Sequence, residues 1–100
     1  MTDRKIVIHN HCQSLEVDVR NELGLHARPA AKLSQEAQKF ESDITIVMNN
    51  REVDAKSILD VLTLAAPQGR RLTLKAQGKD ASRALKHLAQ MFKDRFGEEK

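Results

Sequence analysis

Cysteine occurs once in this chain of 100 residues, Trp and Tyr are absent, and Phe occurs only three times. The lone Cys12 excludes an intrachain disulfide, so no oxidising compartment is required. So few aromatics argue against a base-stacking surface. Long apolar runs are missing too. A secretory leader needs an apolar run of about seven to fifteen residues and a membrane helix about twenty, whereas the opening offers only Ile6, Val7 and Ile8. The expectation is a cytoplasmic chain without membrane insertion. Charge of one sign does not dominate: 17 Lys and Arg face 14 Asp and Glu, a net charge of +3. A nucleic-acid binder concentrates its basic residues on one face, and here they are interleaved with acidic ones, so nucleic acid is not an expected partner.

What is present is enough for one core. Hydrophobic residues make up 40% of the chain, but 11 of them are Ala, which leaves 29 larger apolar side chains. That supports a single domain and excludes a separate cofactor domain. Leu15, Val17 and Val19 alternate with Glu16, Asp18 and Arg20, the period of a strand with one buried face. Ala30, Leu33, Ala37 and Phe40 follow at helical spacing, with Pro29 in the first turn, where its missing N–H is not required. Ile44 to Met48 and Glu52 to Ala55 read as strands joined by an Asn49-Asn50 turn. Lys56 to Ala65 reads as a short helix stopped by Pro67 and Gly69. Leu72, Leu74 and Ala76 mark a fourth strand, and Ala81 to Phe96 carries a helical stripe.

The order β-α-β-β-α-β-α predicts an α+β open-faced sandwich: a four-stranded, mostly antiparallel sheet with three helices on one face. The domain is assigned to 14–97. Residues 1–13 read as a tail or an extra edge strand, with a loose tail favoured. His9, His11 and Cys12 lie close together there, but without a partner pair elsewhere they do not complete a zinc site, and no metal or other cofactor is expected.

The chemistry concentrates in Gly24-Leu25-His26-Ala27-Arg28-Pro29-Ala30. A helix N-terminus offers free backbone N–H groups and the positive end of the macrodipole. His26 stands at or beside that N-cap, and a neutral imidazole nitrogen is a nucleophile. Arg28 places a planar fork for phosphate oxygens two residues on, and Gly24 permits a sharp turn just before the site. These residues suit both a phosphohistidine and simple anion binding, and spacing alone does not choose between them.

The segment Leu23 to Ala31 resembles the active-site signature of the HPr family, histidine-containing phosphocarriers of the phosphoenolpyruvate-dependent phosphotransferase system. Ala55-Lys56-Ser57-Ile58-Leu59, followed by Pro67-Gln68-Gly69, resembles that family's regulatory serine region, and the similarity extends from Leu15 to Phe96. The resemblance implies that His26 accepts a phosphoryl group on Nδ1 from phosphorylated enzyme I and passes it to a IIA protein or domain. Arg28 is then the phosphate stabiliser, and Gly24 and Pro29 shape the site. Ser57 becomes a regulatory phosphorylation site for an HPr kinase/phosphorylase, and Ile58, Leu59 and Leu62 a partner-binding patch. A carrier of this kind is a substrate within a phosphotransferase chain, expected as a monomer, rather than an autonomous enzyme. A nitrogen-branch carrier and a non-transferring binding module are the competing readings.

Overall fold

The alternating segments pair into one antiparallel sheet in the computed structural model, which describes residues 4–100. In chain order the elements are β1 (Val7–His9), β2 (Cys12–Asp18), α1 (Ala27–Ala37), β3 (Asp43–Met48), β4 (Arg51–Asp54), α2 (Ile58–Thr63), β5 (Arg71–Gln77) and α3 (Ala81–Lys93), followed by a 3₁₀ turn at Arg95–Gly97. The strand order is β1-β2-β5-β3-β4, and every neighbouring pair is antiparallel. Register places Leu15 opposite Leu74, Leu74 opposite Ile46, and Ile46 opposite Val53, an apolar row across four strands. All four side chains are buried. Glu16, Thr73, Val47 and Glu52 form the adjacent row on the other, open face. No helix among the described residues is long and apolar enough to cross a membrane.

Helices cover the apolar face. Pro29, Ala30, Leu33 and Ala37 of α1, Val61 of α2, and Ala84, Leu85, Leu88 and Phe92 of α3 are buried in one core with the strand residues. Full burial of each Leu or Phe contributes about 1.5–3 kcal/mol relative to exposure.

The α+β sandwich agrees with expectation, and three local features differ. Val7–His9 forms a fifth, edge strand where a loose tail was favoured. The hairpin joining it to β2 turns through Asn10 and His11, both at positive φ, with His9 paired to Cys12. This is the two-residue connection whose twist suits adjacent strands. The second helix is shorter than the apolar run, because Asp54 accepts from Lys56 N–H through its side chain and from Ser57 N–H through its carbonyl, holding a turn up to Ser57. Ile58 is exposed there, while Val61 and Leu64 are buried. The last helix ends at Lys93, so Phe96 is not part of a continuous stripe. It is reached through a left-handed turn and packs edge-on against Phe92 at 4.9 Å.

One carboxylate organises the junction between β3 and α3. Asp80 accepts from the Glu41 and Ser42 backbone N–H groups at 2.9 and 3.0 Å and from the Ser42 hydroxyl. Gly78 makes room for Ser42, since a Cβ there would lie 2.7 Å from the Ser42 hydroxyl oxygen. The Ser42 hydroxyl bond, with the backbone donors, lowers the Asp80 pKa to about 2. A carboxyl whose pKa is lower in the folded state stabilises the fold above its unfolded value, and that contribution disappears as pH falls through the folded value. Asp80→Asn therefore lowers Tm by several degrees at pH 7 and flattens the loss of stability between pH 4 and pH 2. Thermal melts across that range check this, and parallel wild-type and variant curves would contradict it.

Candidate functional site

The site begins with a backbone constraint. Gly24 has φ +72°, and a Cβ at this position would sit 2.5 Å from the Ala66 carbonyl oxygen. That carbonyl accepts the Leu25 N–H at 2.9 Å, so the loop before α1 lies directly against the segment after α2. Leu25 is buried beside it and anchors the loop. The next residue, His26, is the N-cap of α1 with extended backbone, and its side chain makes no capping hydrogen bond. The helix ladder opens with Ala30 N–H donating to the His26 carbonyl. The Ala27 and Arg28 amides precede that first bond and have no intrahelical acceptor. Pro29, in the first turn, has no N–H and is buried.

The His26 side chain is 27% exposed, so the ring is reachable from solvent, and Arg28 is 69% exposed. The structure brings the two together through a third residue that sequence reasoning missed, Glu98. Its Oε1 lies 3.0 Å from His26 Nε2, and its Oε2 lies 2.7 Å from Arg28 Nε. The hydrogen bond from His26, together with Asn21 and the Arg28 charge, holds the Glu98 carboxyl below the usual glutamate range against the opposing effect of burial.

Asn21, fully buried, fixes the carboxylate by donating through Nδ2 to the Arg95 carbonyl at 2.7 Å and to Glu98 Oε1 at 3.3 Å. Lys32 of α1 donates to the Phe96 carbonyl at 2.8 Å. With Arg95, Phe96 and Gly97 all at positive φ, the end of the chain becomes a hook that returns Glu98 to the start of α1. The sequence signals available were Gly97, which favours a left-handed stop, and the acidic pair Glu98-Glu99.

Ser57 is the N-cap of α2, and its hydroxyl oxygen accepts from Asp60 N–H. Leu59 is 72% exposed, Ile58 is also exposed, and Leu62 is partly buried against the core. A further apolar side chain escaped the sequence reading: Leu23, 75% exposed in the loop before His26. The Ser34 hydroxyl and the Gln38 side-chain amide of α1 both donate to the Lys56 carbonyl, which ties the entry of α2 to α1. Lys56 and Lys32 spend their ammonium groups on the backbone carbonyls of Phe40 and Phe96 rather than standing free on the surface. His9 and Cys12 are paired residues of the β1-β2 hairpin. Among the described residues no three His, Cys, Asp or Glu side chains are grouped as metal ligands.

The Gly24 constraint is testable. Gly24→Ala forces a left-handed Ala against the Ala66 carbonyl, which costs about 1–3 kcal/mol and shifts the His26 and Leu25 amide resonances. Denaturant unfolding and an NMR spectrum read both effects, and unchanged stability with an unchanged spectrum would contradict the constraint.

A family model described as "PTS HPr component phosphorylation site" matches residues 13–94. The chain is 45% identical to phosphocarrier protein HPr of Xylella fastidiosa (strain Temecula1) over 84 residues, covering 84% of this chain and 94% of that protein. Among solved structures, HPr-C-His from Thermoanaerobacter tengcongensis superposes with a TM-score of 0.83 at 40% identity, covering 87% of this chain and 98% of the other. Phosphocarrier protein HPr from Bacillus anthracis gives 0.78 at 41% identity, covering 81% and 96%. A family match across most of the chain, close relatives of nearly the same length and a shared fold agree: this chain belongs to the HPr family of the phosphotransferase system.

Proposed function

We propose that this protein is a phosphocarrier in which His26 accepts a phosphoryl group on Nδ1 from phosphorylated enzyme I and passes it to a IIA protein or domain. The observation that carries this reading is a solvent-reachable imidazole at the N-cap of a helix, with a guanidinium two residues on. The phosphoryl dianion meets the unpaired amides and dipole of α1 and the fork of Arg28. Water screens such an open site, so the group is stabilised without being trapped, as transfer in both directions requires. The protein then acts as a relay and a substrate of its partners rather than as a catalyst with turnover of its own. It works as a cytoplasmic monomer and needs no cofactor.

Ile58, Leu59 and Leu62 form the docking patch, at a helix held against the His26 loop through Ala66. Clustering beside the reactive group distinguishes them from scattered exposed apolar residues. Ser57 serves as the regulatory site for an HPr kinase/phosphorylase. A phosphate there retains acceptors for the Asp60 N–H at the start of α2, so it alters the charge of the docking face without unfolding the domain.

Incubation with enzyme I, Mg²⁺ and phosphoenolpyruvate tests the proposal. Wild type takes up one acid-labile phosphoryl group, and His26→Ala takes up none while its far-UV spectrum is retained. Arg28→Ala slows transfer by about tenfold or more, the scale of losing one charge-stabilising donor. Absence of labelling on folded wild type with a matched enzyme I would favour a binding module without transfer. Ser57→Asp slows transfer from enzyme I severalfold, and equal rates would remove the regulatory role.

A further inference from the structure

We propose that Arg51 is a positioning residue for partner docking: its guanidinium caps the C-terminal end of α2 and sets the angle at which Leu59 and its neighbours meet the phosphoryl donor. This rests on the reading of α2 as the docking helix and adds the residue that aims it.

The helix cannot hold itself. It has six residues, and only Val61 among them is buried. Isolated helices shorter than about twelve residues are marginal in water, and one buried side chain fixes neither the tilt nor the roll of a helix. Its orientation therefore depends on its ends. At the N-terminal end the Ser57 hydroxyl oxygen accepts from Asp60 N–H, and the Lys56 carbonyl is tied to α1 by Ser34 and Gln38.

The C-terminal end is the more demanding one, because its last carbonyls have no intrahelical donor. Leu64 N–H and Ala65 N–H tighten onto the Val61 and Leu62 carbonyls, and the Thr63 hydroxyl donates to the Asp60 carbonyl at 2.6 Å. The Thr63 carbonyl is met by Arg51 Nη1 at 2.8 Å, while Arg51 Nη2 donates to Thr63 Oγ1 at 2.9 Å. One planar fork thus holds both the backbone and the side chain of a single residue, which fixes the roll of the helix as a point charge would not. The positive group also lies at the negative end of the helix dipole.

Arg51 opens β4, where it pairs with Met48, so the fork ties α2 to the edge of the sheet. The chain then leaves the helix through Ala65 at φ +48°, a left-handed conformation that carries a cost without glycine. Leu64 and Ala66 on either side of it are buried. The Ala66 carbonyl is the one that accepts Leu25 N–H beside His26. A cap at Thr63 therefore steadies the exposed Leu59, the strained exit and the carbonyl that anchors the reactive loop.

Phosphorylation by enzyme I, Mg²⁺ and phosphoenolpyruvate at varied concentrations of this protein tests the assignment, with amide exchange of the free protein read alongside. In Arg51→Ala, KM rises about threefold to tenfold, the range for one or two exposed hydrogen bonds, while kcat changes less than twofold because His26 and Arg28 are untouched. Exchange at Leu62 to Ala66 quickens and exchange in β5 does not. Arg51→Lys keeps the charge without the fork and recovers less than half of the loss in KM. Thr63→Val, which removes the hydroxyl and keeps the shape, raises KM in the same direction, and its effect and that of Arg51→Ala are not additive in the double variant. Faster exchange with an unchanged KM would overturn the proposal and leave the carrier reading intact. A raised KM with unchanged exchange, or full recovery in Arg51→Lys, would also overturn it, since the charge would then act on the partner directly. Wild type that accepts no phosphoryl group would overturn the carrier reading and this proposal together.

Discussion

The hydrogen bond from Leu25 N–H to the Ala66 carbonyl, made possible by a left-handed Gly24, is the contact on which the site's geometry rests. It presses the loop before α1 against the exit of α2, while Ser34 and Gln38 bind the entry of α2 through the Lys56 carbonyl. Two short elements far apart in sequence become one rigid face. His26 stands at its edge because the residue before it is buried and the residues after it are helical. The sheet below supplies the stiffness, with its apolar row and the helices packed over it.

Upon that frame sits a balance of weak, water-screened electrostatics. A relay must bind its cargo well enough to accept it and loosely enough to release it. A closed pocket with several buried donors would hold a phosphoryl group too firmly. In the site we propose, the donors are two helix amides and one exposed guanidinium, and the Glu98 carboxylate lies against both His26 and Arg28. Leu59, on the docking face we propose, and Leu23, in the loop before His26, are both largely exposed apolar side chains.

The strands, the helices and the His26 segment were legible because their signals are local. Alternation marks β2, β3 and β5, and the stripe from Ala30 to Ala37 marks α1. The edge strand β1 stood only as the alternative to a loose tail because three apolar residues resemble any tail, and the Asn10-His11 turn lacks the Gly that usually announces a tight hairpin. Phe96 was read as helical because it lies four residues beyond Phe92, a spacing that a left-handed turn imitates while sending the chain elsewhere. Glu98 was invisible for a deeper reason. Its role comes from tertiary return across the domain, and nothing in Gly97-Glu98-Glu99 says which residue it will meet. Lys32 and Lys56 show the same limit, since a lysine's sequence does not reveal whether its ammonium group ends in water or on a carbonyl.

The most direct measurement is ³¹P–¹⁵N coupling in the ¹⁵N-histidine-labelled protein after incubation with enzyme I and phosphoenolpyruvate. The account predicts one phosphorus bonded to His26 Nδ1, with the proton retained on Nε2 opposite Glu98. Coupling at Nε2, or phosphorus on any histidine other than His26, would contradict it.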